Sequence, residues 1–289
     1  MLESPGVGPV NDRAHAPLPL RGLLPLLHLA ILAVIQGLTE FLPVSSSGHL
    51  ALVPHFMDWP DQGLLIDIAV HVGTLGAVMV YCWRDIGRML VGLLRMFQGR
   101  REPGLRLVTL VIVASVPVVI AGYLVSRYLG DALRTMEVIA WSTIGFGVLL
   151  GIADRIGMTI RRIEHMDHGM ALFIGVAQVL ALIPGASRSG VTMTAARFLG
   201  FERADAARFS LLLGIPAILG AGTLGGLKLY EAGDVSLGLD AAIAAGIAFV
   251  AALISISVMM AWLRRAGFMP FVIYRILLGG ALLAWIYLA

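Results

Sequence analysis

The sequence predicts an all-α integral membrane protein, with about six transmembrane helices plus two re-entrant helical hairpins in an inverted-topology repeat. Three observations lead there. The chain is 58% hydrophobic and only 13% charged, with a mean hydropathy of +0.89; a soluble domain carries roughly 25% charged residues. Its apolar runs come in two lengths, some long enough for the ~20 residues that a bilayer crossing needs and some far too short. Its two halves also show a weak repeat at a shift of 142 residues.

The first 22 residues are rich in Pro and Gly and read as a flexible tail. They lack the basic start, apolar core and small-residue cleavage site of a signal peptide. Residues 23–289 then form one polytopic domain, with halves of roughly 23–153 and 154–289. Apolar runs fall at about 23–42, 46–57, 64–83, 86–97, 105–126, 137–153, 170–183, 189–200, 207–227, 239–263 and 270–288. The run at 23–42 is cut by Pro25 and turns polar from Gln36, while 46–57, 170–183 and 189–200 hold only about a dozen residues each. Pieces this short read as re-entrant or interfacial rather than spanning. They pair naturally into hairpins over 30–57 and 170–200. The run at 86–97, carrying Arg88 and Arg95, reads as a short interfacial helix.

Arginines set the orientation. Arg84, Arg88, Arg95, Arg100, Arg101 and Arg106 follow the 64–83 run, and Arg155, Arg161 and Arg162 follow 137–153. Arg203 and Arg208 follow the second hairpin, and Arg264 and Arg265 follow 239–263; the intervening loops hold only Arg127, Arg134 and Lys228. The positive-inside rule places the Arg-rich loops in the cytoplasm. Alternation then brings the first hairpin in from outside and the second from inside, with both chain ends outside. The net charge of +3 therefore reports topology and gives no reason to expect a nucleic-acid partner. Cys82 is the only cysteine, which excludes an intrachain disulfide and a Cys-based zinc site.

The repeat lays Gln36 on Gln178, Ser45 on Ser187, Ser47 on Ser189 and Gly48 on Gly190, with Gly73 meeting Gly214 at nearly the same shift. Such repeats place their binding sites near the midplane, where helices are broken. The breaks here are Glu40-Phe-Leu-Pro-Val-Ser-Ser-Ser-Gly-His49 and Pro184-Gly-Ala-Ser-Arg-Ser-Gly-Val-Thr192. Broken backbone at membrane depth survives only inside protein or beside a water-filled cavity. An ionisable residue there is a functional-site signal. Gln36 and Glu40 share a helix face, as do Ser46 and His49. Ser45, Ser46, Ser47 and Gly48 can open one helix; Ser187, Arg188, Ser189 and Gly190 can open another, with Thr192 four residues after Arg188. Two helix N-termini and a guanidinium fork make an anion site, suited to phosphate.

Binding alone needs no Glu40, Ser46 and His49 in one cluster. A hydroxyl near an imidazole suggests an activated nucleophile, and His49 can also serve as general acid or base. Glu40 is the hard anionic ligand for Mg²⁺ or Ca²⁺. Plainer roles exist for each residue. Ser46 and Ser187 can be N-caps, Thr192 can bond its own helix, and Gln36 and Gln178 can join helices. Asp67 and His71 can be packing or supporting groups.

These strings resemble the undecaprenyl pyrophosphate phosphatases, the bacitracin-resistance family. The resemblance covers most of the chain after the tail. It rests on Gly37 to Leu50, on Pro184 to Thr192, and on the flanking runs Asp67 to Thr74 and Pro270 to Arg275. It implies metal-assisted hydrolysis of the C55 polyprenyl diphosphate to monophosphate and phosphate, on the outer side of the bacterial inner membrane, recycling the lipid carrier for cell-wall synthesis. The family's Ser, His, Ser-Arg and Thr positions fall on Ser46, His49, Ser187, Arg188 and Thr192. Its Glu-or-Gln, x3, Glu motif falls on Gln36 and Glu40, so a single carboxylate stands where some members have two. The implied partners are the lipid diphosphate and the bilayer, with a homodimer left open. The competing function is a carrier or flippase for an anionic lipid, since inverted repeats and broken helices also build transporters. Another lipid phosphatase superfamily uses Ser-Gly-His and Ser-Arg strings, but its Lys-x6-Arg-Pro motif is absent around Lys228, and Thr194 stands six after Arg188.

Overall fold

A computed structural model of the chain describes residues 23–57, 64–96, 98, 102–128, 135–232 and 235–288. The N-terminal tail expected over 1–22 and the loop residues Arg100, Arg101 and Arg134 lie outside the described residues. The regular elements are helical: α1 (Leu23–Thr39), α2 (Ser46–Met57), α3 (Leu64–Tyr81), α4 (Trp83–Met96), α5 (Pro103–Tyr128), α6 (Met136–Ile156), α7 (His168–Gln178), α8 (Arg188–Phe198), α9 (Arg203–Ala232), α10 (Val235–Leu263) and α11 (Met269–Leu288). Each apolar run of the sequence became one helix. The ends are set by local chemistry. Thr135 caps α6 by accepting from the Val138 amide, and Asp167 caps α7 by accepting from the Met170 amide.

Among the described residues, four helical stretches are long and apolar enough to cross a membrane: Pro103–Val125, Met136–Ile156, Gly238–Leu263 and Met269–Leu288. A fifth arises if Ile66–Tyr81 and Trp83–Met96 count as one bent span. That bend is 81°, at Cys82, so α4 leaves the bundle direction almost at right angles. Its exposed Trp83, Leu90 and Leu94 alternate with arginines, while Asp85 and Gly92 turn inward. This is the amphipathic pattern of a helix lying at an interface. The long helices carry Ile112, Val119, Ile120, Ile254, Val258 and Leu277 on their outer faces. Large apolar side chains ringing helices of bilayer length are suited to lipid, not water.

The bundle interior is built by crossed pairs. α10 packs on α3 and α1, α11 on α6, and α5 on α7, while α3 meets α9. The short helices α2 and α8 sit inside this frame, α2 against α1 and α8 among α6, α7 and α9. Close backbone approach replaces hydrophobic drive here, as is usual between helices in lipid. At Gly73 of α3, an added Cβ would come 2.1 Å from the Ala245 carbonyl oxygen of α10. Gly145 of α6, by contrast, faces open space.

This contrast gives a test. Gly73→Ala should destabilise the protein by about 1–3 kcal/mol, because α3 and α10 must separate. Gly145→Ala should be neutral or gain up to ~1 kcal/mol from backbone entropy. Thermal unfolding in detergent measures both, and equal melting temperatures for the two variants would contradict the close-approach argument.

Candidate active site

The two polar strings meet. Each ends a helix, turns sharply and opens the next. Ser45 and Ser187, equivalent in the repeat, are the two non-glycine residues with left-handed backbone among those described, at φ 75° and 70°. Each then caps the helix that follows. Ser45 Oγ accepts from the Gly48 amide at 3.4 Å, and Ser187 Oγ from the Gly190 amide at 3.2 Å. A side chain in this region costs about 1–2 kcal/mol, offset here by the cap it makes. The first residue of each helix, Ser46 and Arg188, reaches one carboxylate with its side chain.

That carboxylate belongs to Glu40. Only 8% exposed, its carboxylate takes donors from three elements. Ser46 Oγ donates to Oε2 at 2.7 Å, and Gln36 Nε2 donates to the same oxygen at 2.8 Å. Arg188 Nη2 donates to Oε1 at 3.2 Å. The guanidinium also lies over the Phe41 ring, 5.8 Å from its centroid, a cation–π contact. A carboxylate at this depth would be costly alone; two neutral donors and a cation offset that cost.

One predicted pairing is not made. His49 does not meet Ser46 in a hydroxyl–imidazole pair. Its Nδ1 donates to the Ser45 carbonyl at 2.7 Å, and its Nε2 accepts from the Tyr274 hydroxyl at 2.5 Å. The bond to its own helix's carbonyl, four residues back, turns the ring away and leaves Ser46 to Glu40. Thr192 and Ser189 bond to neighbouring chain. Thr192 Oγ1 lies 2.9 Å from the Arg188 carbonyl and 2.7 Å from Ser210 Oγ. Ser189 Oγ donates to the Leu42 carbonyl at 2.8 Å and lies 3.1 Å from Ser187 Oγ, tying one turn to the other. The Ser47 side chain lies outside the described residues.

Sequence reading left three participants unplaced. Arg275 of α11 is fully buried and donates to carbonyls alone: Thr143, Pro43, Gly185 and Ala186, at 3.0, 3.3, 2.9 and 3.0 Å. Pro43 and Gly185 are equivalent in the repeat, so one guanidinium holds both turns. Gly190 makes room for it, since a Cβ there would come 2.7 Å from Arg275 Nη1. His71 of α3, read as packing or a supporting group, brings Nε2 to 3.6 Å from Glu40 Oε2. Tyr274 is the third. The run Pro270 to Arg275 held two of these residues, but nothing in its sequence showed where they point.

Among the described residues, no three His, Cys, Asp or Glu side chains gather closely enough to hold a metal ion. What the site offers is the Glu40 carboxylate and Gln36 Oε1, which is buried without a partner. Hard oxygen donors of this kind suit a cation shared with substrate phosphates.

With this geometry in place, comparison with known proteins becomes specific. The family model described as "Bacitracin resistance protein BacA" matches residues 29–281. The chain belongs to this family. Among curated BacA relatives, undecaprenyl-diphosphatase 1 of Rhodospirillum rubrum is 53% identical over 91% of this chain and 96% of its own length. The undecaprenyl-diphosphatases of Ruegeria pomeroyi and Hahella chejuensis are 49% and 51% identical, each over 91% of this chain and 99% of their own. The match to the BacA model contains both turns, Glu40, His71 and Arg275.

Because Arg275 has four carbonyl partners, Arg275→Met should strand several buried acceptors, each worth about 1–3 kcal/mol. We expect a lower melting temperature in detergent and loss of monodispersity on heating. An unchanged melting curve would show that the turns do not depend on this residue.

Proposed function

We propose that this protein hydrolyses undecaprenyl diphosphate to undecaprenyl monophosphate and inorganic phosphate, recycling the lipid carrier of cell-wall synthesis. The Ser46–Glu40 contact carries the reading: a hydroxyl at a helix N-terminus, 2.7 Å from a carboxylate that Arg188 keeps ionised. The names of the relatives, at about half identity over nearly the whole chain, support the substrate. The enzyme resides in the bacterial inner membrane with six spans, α3, α5, α6, α9, α10 and α11. The hairpins α1–α2 and α7–α8 enter from opposite faces, and the site opens outward. In support of this inverted repeat, the turns share the left-handed serine, its cap and the Arg275 bond at equivalent positions.

In this mechanism Ser46 Oγ attacks the terminal phosphorus and its proton passes to Glu40 Oε2. The bridging P–O bond breaks and the polyprenyl monophosphate departs. Water then cleaves the phosphoserine, releasing phosphate. Arg188 exchanges Glu40 for the phosphoryl oxygens as charge spreads onto them, and the amides opening α2 and α8 add donors. His49 acts as a positioning residue: its bond to the Ser45 carbonyl and to Tyr274 holds the strained turn that presents Ser46. A Mg²⁺ or Ca²⁺ ion held by Glu40 and Gln36 would supply further neutralisation of the diphosphate.

Phosphate release from a C55 polyprenyl diphosphate by detergent-purified protein tests this. Arg188→Ala should lose roughly 10³–10⁵-fold in turnover, the scale of a phosphoryl-transfer arginine. Glu40→Gln should lose at least about 10²-fold, the scale of a general base. Ser46→Ala should form no phosphoserine under rapid quench. Full turnover by Ser46→Ala would remove Ser46 as nucleophile. No release by the parent protein would overturn the phosphatase itself.

A further inference from the structure

His71 lies across the site from the strings that define it. Its Nδ1 is 2.6 Å from the Asp67 carbonyl, which can only accept, so Nδ1 carries the proton. Nε2 is the ring nitrogen left free of the backbone, and it faces Glu40 Oε2 at 3.6 Å. Ligands bound at about 2.0–2.2 Å to one cation sit roughly 3 Å or slightly more from each other, so a small closure of this gap would let both bind. Gln36, which donates to the same carboxylate oxygen, leaves Oε1 buried and unpartnered. A metal-binding histidine characteristically donates its other N–H to a backbone carbonyl, which fixes ring and tautomer. His71 is held in that way.

We infer that His71 Nε2 joins Glu40 in holding a divalent cation, and that the imidazole moves the site's preference from Ca²⁺ toward first-row transition ions such as Mn²⁺ or Zn²⁺. The inference deepens the metal-assisted reading above and rests on it. With oxygen donors alone the site would suit Mg²⁺ or Ca²⁺; a nitrogen ligand favours ions further along the transition series. The imidazole also compensates for Gln36: where a second carboxylate would add charge, a neutral ring adds a stronger donor atom without crowding a second anion beside Glu40.

The decisive probe is Mn²⁺ bound to the detergent-purified full chain in the presence of methylenediphosphonate, a diphosphate that does not hydrolyse. Electron spin-echo modulation should show a directly coordinated ¹⁴N. In His71→Gln that modulation should vanish, and Mn²⁺ affinity should fall at least about tenfold, with a smaller change for Ca²⁺. Absence of nitrogen modulation in the parent protein overturns the inference, and this needs no variant. So does nitrogen coupling that survives in His71→Gln, which would assign it to another ring. Phosphate release from the C55 diphosphate is scored separately. Turnover without nitrogen coupling removes His71 but keeps the phosphatase, and nitrogen coupling without turnover does the reverse.

Discussion

Everything in the polar centre depends on backbone that has been broken where water is scarce. Two chain reversals leave carbonyls with no helical partner, and each unpaired group would cost several kcal/mol in hydrocarbon. Arg275 removes most of that cost with one side chain. Its fork reaches Pro43 on one turn and Gly185 and Ala186 on the other, with Thr143 of α6 as anchor. A lysine could not span these acceptors, because its donors radiate from a single point, whereas guanidinium presents five in a plane. The turns are thereby fixed relative to each other before any substrate arrives. Ser189, bonded to the Leu42 carbonyl, repeats the tie from the opposite direction.

On this symmetric frame the chemistry is asymmetric. Ser46 and Arg188 occupy equivalent first positions of α2 and α8, yet both reach the same carboxylate. Glu40 has no counterpart, since the repeat places Leu182 there. Duplicated helix ends supply amides from two sides, while a single anion selects which hydroxyl is polarised. That division suits the hydrolysis proposed above: the donors come in duplicate, while the one carboxylate stands beside a single hydroxyl.

The apolar runs were legible because bilayer length and composition are strong local signals, and all eleven became helices. The strings were legible because Pro, Gly, Ser and charge survive at membrane depth only where protein or a polar cavity surrounds them. The left-handed turn residues were not, because serine rather than glycine stands at both positions. His71 and Arg275 escaped for another reason. Each lies on a helix whose sequence is polar at a few points only, and helical periodicity cannot say whether such a point faces a neighbour's packing surface or a site 31 or 235 residues away in the chain, as Glu40 is from each of them. The His49–Ser46 pair failed because spacing permits a contact without deciding between it and a carbonyl one turn back.

The Arg-rich ends of the helices bear on the choice between hydrolysis and transport. Arg208 of α9 makes a bidentate pair with Asp85 of α4, joining the two halves of the chain. Asp154 of α6 gathers Arg203 at 2.6 Å, the fully buried Arg197 at 3.3 Å and the Phe268 amide at 3.0 Å. These links join α6, α8, α9 and the start of α11 on that side. Carriers of this architecture work largely by rocking one repeat against the other. Such motion would have to open the Asp85–Arg208 pair between the halves, in which Asp85 is buried and Arg208 27% exposed, so that the buried carboxylate would lose its bidentate partner. Hydrolysis needs no such opening. The mechanism proposed above asks instead that the two turns stay where Arg275 and Ser189 hold them.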